Sequence, residues 1–193
     1  MAFLEALLPD SALRRRIAIP DRIRLRGTAG ADKGAFSAAS TLSTDGGEIA
    51  LQGRLDTRSE AYGIELRCDS FPLNSFLPAD SLGLLDLALQ AGGSGFDPLR
   101  AQTRGNIRLQ VDRAEFRGRD FGGVKLNANL EGGQLSGRLS DRDEALRLLL
   151  LISGTLTERK QEVRLTGNVF DFDLAELGIS PQKIGGSFAL EAG

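Results

Sequence analysis

The feature that most constrains this chain is a strict alternation of apolar and polar residues over most of its length. Ile107, Leu109 and Val111, for example, alternate with Arg108 and Gln110. In a β-strand a two-residue period sends apolar side chains to one face and polar side chains to the other. The pattern recurs in segment after segment, and it predicts a succession of half-buried strands.

Short, glycine-rich connectors separate the alternating segments and predict tight hairpins. Residues 45–47 and 131–133 read Asp-Gly-Gly and Glu-Gly-Gly, and glycine supplies the positive φ angles that two-residue hairpin turns need. Strands joined this closely must be antiparallel. Helical spacing is confined to three stretches, 4–9, 73–78 and 174–178, each long enough for only one or two turns.

A sheet with one apolar face must have that face covered, and the predicted helical turns are too short to cover it. Glycine makes up 24 of the 193 residues, and Gly53, Gly137, Gly154 and Gly167 fall on apolar positions, where a strand can bend. The sequence therefore predicts an all-β fold: a single long, strongly curved antiparallel sheet, shaped as a U-shaped groove, with a few one- to two-turn helices.

The chain also contains an internal repeat. Residues 49–77 align with residues 150–178 at a constant offset and without a gap, so that Phe71 matches Phe172. After a one-residue insertion the match continues, and the whole quasi-repeat places 49–92 on 150–193. Repeats of this kind are expected when units add hairpins to one growing sheet. We therefore interpret residues 1–193 as one repetitive segment and expect it to belong to a larger protein.

Charge and composition exclude several functional classes. Lys and Arg total 24 while Asp and Glu total 26, a formal net charge of −2, so no nucleic-acid partner is expected. The sequence has no histidine, which removes the usual Ser-His-Asp and Cys-His nucleophiles, and Cys68 is its only cysteine, which precludes an internal disulfide. Asp141, Asp143 and Glu144 are interpreted as a solvated turn. We predict a non-enzymatic protein with no catalytic residue, metal site or cofactor.

Two arrangements of the apolar face remain open at this point. In the first, the chain fills the face with its own side chains, as a β-sandwich or β-solenoid with a structural or adhesion role and no ligand. In the second, the face is left open as a groove for an apolar ligand. For the second arrangement, the residues predicted to line the groove are Ile49, Leu51, Leu55, Ile64, Leu66, Leu87, Leu89, Ile107, Leu109, Val111, Val124, Leu126, Leu130, Leu148, Leu150, Ile152, Val163 and Leu165.

Several motifs together resemble one protein family. They are the strands with alternating glycine and aliphatic residues at Gly47–Leu55 and Gly133–Leu139, the Leu-x-x-Phe-Leu-Pro turn at 73–78, and the Gly-Ser-Gly-Phe-Asp-Pro stretch at 93–98. This combination, spread over nearly the whole chain, resembles the TamB-like (translocation and assembly module) branch of the AsmA-like superfamily.

The resemblance implies a setting and a function. It implies an interior, periplasmic segment of a large protein anchored in the inner membrane of a Gram-negative bacterium, with a β-groove that binds phospholipid or another acyl-chain lipid. The implied role is lipid transport to the outer membrane and support of protein assembly there, with an assembly partner that contacts regions outside these residues. Open sheet edges, which favour strand pairing, lead us to expect that two copies could dimerise through an edge strand.

Overall fold

The computed structural model describes residues 18, 20–78, 80–175, 177 and 181–193. Within these residues the chain forms one sheet of twelve strands, and every strand pair is antiparallel. The strands are β1 (Ile23–Asp32), β2 (Ala35–Thr44), β3 (Glu48–Asp56), β4 (Ala61–Pro72), β5 (Leu82–Ser94), β6 (Arg104–Phe116), β7 (Arg119–Phe121), β8 (Val124–Glu131), β9 (Gln134–Arg142), β10 (Leu146–Leu156), β11 (Gln161–Asp173) and β12 (Gly185–Ala192).

The sheet is open, because its strands follow chain order and its first and last strands do not pair with each other. The order is β1-β2-β3-β4-β5-β6-β8-β9-β10-β11-β12, with the short β7 paired only to β6. The β1–β2 hairpin has two residues in its turn, Lys33 and Gly34, both with positive φ (45° and 91°), as tight hairpins require. The predicted fold class, an all-β protein with a single antiparallel sheet, is confirmed.

The small core lies at one end of the sheet. Of the described apolar residues, only Cys68, Phe71, Ala145 and Val169 are buried. They lie where β4, β9 and β11 end and where β5, β8, β10 and β12 begin, and we call this the capped end. Strand register shifts there in β4, β5, β10 and β11, and such bulges bend and twist a sheet locally. The opposite end, with the β1–β2 and β3–β4 turns, is called the open end.

The described helical stretches form single short turns, at the lower limit of the one to two turns expected. Residues 73–78 contain a three-residue 3-10 helix, Leu73–Ser75, whose neighbour Phe76 stacks on Phe71 with ring centroids 5.0 Å apart. In the stretch 174–178, the N–H of Leu177 donates to the carbonyl of Asp173 at 2.9 Å and closes a single turn. The stretch 4–9 lies outside the described residues.

Both halves of the predicted repeat adopt the same order of elements. Residues 49–92 run through β3, β4, the 3-10 helix and β5, and residues 150–193 run through β10, β11, a turn and β12. The copies differ in their surroundings, because β5 pairs onward with β6 whereas β12 is an edge strand. The described part of the chain has no helix with the length and hydropathy needed to span a bilayer.

The interpretation of Asp141, Asp143 and Glu144 as a solvated turn is wrong for Asp141, which is only 8% exposed. Asp141 pairs with Leu148 on the apolar face, and the β7–β8 connection lies over it. The N–H of Gly122 donates to Asp143 Oδ2 at 3.0 Å, and the N–H of Asp143 donates to Asp141 Oδ1 at 3.0 Å. These bonds tie the connection to the β9–β10 turn. A neighbouring loop, which alternation alone does not reveal, therefore buries this carboxylate.

Candidate functional site

An unbroken row of leucines crosses the middle of the sheet. Strand register places one leucine from each of seven neighbouring strands directly opposite the next, and paired residues share a face. Adjacent strands are about 4.8 Å apart, so the row is about 29 Å long. This leucine row consists of Leu51, Leu66, Leu89, Leu109, Leu126, Leu139 and Leu150.

A second apolar row, called the small row, runs beside the leucine row on the side of the open end. It crosses eleven strands and contains alanine and glycine at most positions, with isoleucine or leucine at the others. Its members are Ala29, Ala38, Gly53, Ile64, Ala91, Ile107, Ala128, Gly137, Ile152, Leu165 and Ala192. The two rows together form a continuous apolar strip that runs across the strands.

The opposite face of the same strands is polar. Directly behind the strip, six paired residues of β3 to β9 all carry amide or charged side chains: Gln52, Glu65, Gln90, Arg108, Asn127 and Arg138. One residue breaks this pattern, because the next position in the row is Leu151, half of whose surface is exposed. The sheet thus separates an apolar face from a largely solvated one.

All eighteen residues predicted to line a groove lie on the apolar face. The register brings all of them into rows that cross neighbouring strands; Val163, for example, is in line with Leu130 through Gly154 and Leu135. Leu135 and Leu139 share this face as well, although the predicted set did not include them. Whether these residues contact a ligand stays a prediction.

The middle of the apolar face is not covered by any described segment. Leu51 is 43% exposed and Ile64 is 45% exposed, although both lie in the central part of a β-strand. All described strands belong to one layer, so the described residues provide no second sheet to pack on this face.

Open concavities lie on both faces of the sheet near the open end, and one of them is on the apolar face over β1 to β4. The concavity on the apolar face, called the depression, has a volume of about 860 Å³ and is lined mainly by apolar side chains and glycines. Small residues such as Ala38 and Gly53 lie beneath the concavity, and no large side chain of theirs fills it. On the apolar face the lining residues are Ala29, Ala31, Phe36, Ala38, Gly53, Leu55, Tyr62 and Ile64, joined by Phe96 of the β5–β6 loop.

Two aromatic residues form the wall of the depression toward β5. Tyr62 lies over Gly93, where an added Cβ would come within 2.9 Å of its hydroxyl; the absence of a side chain there lets the ring lie across the sheet. The Phe96 ring is 6.4 Å from that of Tyr62. Sequence reasoning missed Phe36 and Phe96 as candidates, because β2 is rich in alanine and serine and because Phe96 lies in a loop.

Two titratable groups of the apolar face have shifted pKa values, and both lie at the capped end. Burial raises the pKa of the Cys68 thiol, so the thiol stays protonated and unreactive. Burial also raises the pKa of the Asp141 carboxyl, although backbone N–H groups of Asp143 and Arg142 oppose the shift. Among the described residues, no group of three or more His, Cys, Asp or Glu side chains is placed to hold a metal ion.

Comparison with protein-family models, with curated proteins and with solved structures finds no match to this chain. The functional argument therefore rests on the geometry of the apolar face.

Proposed function

We propose that this chain binds the acyl chains of lipids on its apolar face and acts, without catalysis, as a segment of a lipid conduit or scaffold. The observation that carries the proposal is the leucine row, which is uniform over seven strands and in which no leucine is fully buried: Leu51 is exposed and the other six are half-buried. An acyl chain has no hydrogen-bonding groups, so a continuous apolar surface suffices to hold it.

The energetics favour sliding over tight capture. Removing a CH₂ group from water gains about 0.8 kcal/mol when it is fully buried, and a chain lying on an open face gains less. Because the seven positions of the leucine row are chemically alike, a bound chain meets similar contacts as it moves from strand to strand. The row is about 29 Å long, roughly twice the 15 Å that a chain occupies in one bilayer leaflet.

The setting follows from the resemblance to the TamB-like branch. We propose a periplasmic location in a Gram-negative envelope, as part of an inner-membrane-anchored protein that moves phospholipid toward the outer membrane and supports protein assembly there. The strand order supports a modular segment of this kind, because β1 and β12 leave both edges of the described sheet open to further strands. Edge-strand dimerisation of the chain stays a prediction on the same grounds.

The alternative, a self-filled β-sandwich or β-solenoid, requires a second layer on the apolar face. No described residue supplies that layer, and the exposure of Phe36 and Leu51 on the apolar face agrees with this. We therefore prefer the ligand-binding function.

The proposal is tested by placing a charge on each face of one strand. Leu126 and Asn127 are neighbours in β8 but lie on opposite faces, and Asn127 is flanked by Arg108 and Arg138. Leu126→Asp should weaken binding of a fluorescent fatty acid at least tenfold, because a carboxylate interrupts the apolar strip. Asn127→Asp should leave it unchanged. Equal binding by both variants, each folded by circular dichroism, contradicts the proposal.

A further inference from the structure

The hairpin turns at the open end, beyond the strand residues that line the depression, carry two cations. Lys33 lies in the β1–β2 turn, and Arg58 lies in the β3–β4 turn beside it. The two turns are joined, because the N–H of Thr57 donates to the carbonyl of Gly34 at 2.9 Å. The Cγ and Nε atoms of Arg58 lie 3.6 Å from the point where a Cβ of Gly34 would stand. The Arg58 side chain therefore lies against the turn that holds Lys33.

The acidic residues nearest in sequence to these cations are Asp32, Asp56 and Glu60. Asp56 Oδ1 accepts the backbone N–H groups of Arg58 at 2.8 Å and Ser59 at 3.2 Å, which lowers the pKa of its carboxyl. By register, Asp32 and Asp56 both belong to the polar face. Among the described residues, neither Lys33 nor Arg58 has an ion-pair partner within 4.0 Å.

We propose that the depression holds a single acyl chain whose anionic end, a carboxylate or a phosphate, lies at the rim between Lys33 and Arg58. The inference rests on the proposed function and adds the class of ligand and its orientation. Cations in the turns beside an apolar depression complement an anionic amphiphile at both of its ends.

The dimensions of the site fit such a ligand. Gly27 is the β1 residue that lies in line with the leucine row. It is six residues from Lys33, so the distance from the β1–β2 turn to the leucine row is about 20 Å along the strand. A chain of about 15 Å, the length it occupies in one leaflet, reaches from the rim across the depression. Its methylene groups then lie between Phe36 and Tyr62, and its methyl end approaches the leucine row.

The first experiment compares a fluorescent polyenoic fatty acid with its methyl ester at low salt. The purified chain should bind the acid about fivefold to tenfold more tightly, since exposed ion pairs contribute about 0.2–1 kcal/mol each. The double variant Lys33→Glu/Arg58→Glu should lose this preference while still binding the ester. The matched control Arg108→Glu/Arg138→Glu, on the polar face, should keep it. A preference that is absent, or that survives in the rim variant, overturns the inference.

The second experiment fills the depression. An added Cβ at Gly53 would meet only the carbonyl oxygen of Gly63, at 4.0 Å, so Gly53→Leu is compatible with the fold. It should weaken binding of both acid and ester at least fivefold, whereas Gln52→Leu on the other face should not. Unchanged binding in Gly53→Leu contradicts a ligand in the depression.

Competition identifies the anionic group and separates the two proposals. Displacement of the fluorescent acid by lysophosphatidic acid, and not by inorganic phosphate, supports an amphiphile at the rim. Displacement by inorganic phosphate alone assigns the rim to a free anion and overturns the inference. If neither the acid nor the ester binds, the proposed function itself is wrong, whereas equal binding of acid and ester leaves that function standing and removes only the anionic end.

Discussion

The capped end of the apolar face is buried, whereas the middle of the same face is more exposed. At the capped end Phe71 and Cys68 are each 3% exposed, because the 3-10 helix and the strand connections fold back over the sheet. In the leucine row Leu51 is 43% exposed, and in the small row Ile64 is 45% exposed. Both regions belong to one continuous set of strands.

The difference teaches that the chain can cover its own apolar surface with very short segments. A three-residue 3-10 helix and a single turn suffice to bury the capped end. The middle of the face is longer, and the connections at either end of the strands do not reach it. Stability and ligand binding are therefore expected to depend on different parts of one face, and the following predictions test that division.

The largest effect is expected from placing a charge in each region. Val169 is 8% exposed, so Val169→Asp buries an unpaired carboxylate at a cost of several kcal/mol, enough to prevent folding. Leu109→Asp changes a half-buried residue of the leucine row, where water can reach the carboxylate, and should leave the sheet folded. Circular dichroism and urea unfolding measure both. Equal loss of structure in the two variants would remove the distinction between the regions.

A smaller effect is expected from truncating one phenylalanine in each region. Phe71→Ala removes a ring that is buried and stacked on Phe76, and should lower the free energy of unfolding by about 3–5 kcal/mol. Phe36→Ala removes a ring that is 48% exposed, and should cost about 1 kcal/mol. Denaturant titration provides both numbers, and similar losses would show that the middle of the face is covered as well.

The smallest effect concerns the buried carboxyl at the capped end. Because burial raises the pKa of Asp141, the folded state holds its proton to a higher pH than the unfolded chain does, and stability decreases as pH rises through this range. The amide of Asp141→Asn does not titrate, so the stability of this variant lacks the pH dependence that comes from the Asp141 carboxyl. The stability of the natural chain relative to this variant should therefore improve as pH falls from 7 to about 4. A relative decline over the same range would mean that the native state favours the ionised carboxylate.

Much of the fold could be predicted because alternation is a local property of the sequence. Alternation within strands such as β6 and β8, together with glycine-rich turns, determines strand direction, register and the residues on each face. All eighteen predicted lining residues share one face for this reason. Leu139 was visible in the same pattern, and it completes the leucine row.

Features that depend on contacts between distant segments could not be predicted in this way. Asp141 is buried by a connection at Gly122 and Gly123, which is about twenty residues away in sequence. The depression depends on the loop that brings Phe96 to Tyr62, and Arg58 lies against the turn that holds Lys33 only because the two hairpin turns are adjacent in the sheet. Periodicity contains no information about such contacts.

The central claim is that the middle of the apolar face is filled by a lipid and not by the protein. Native mass spectrometry of the chain, purified from cells without detergent, tests this most directly. The account predicts adducts with the mass of acyl-chain lipids that are lost on collisional activation and are absent from Leu126→Asp. A natural chain that is free of lipid as purified, and that acquires no adduct when fatty acid or phospholipid is added, would contradict it.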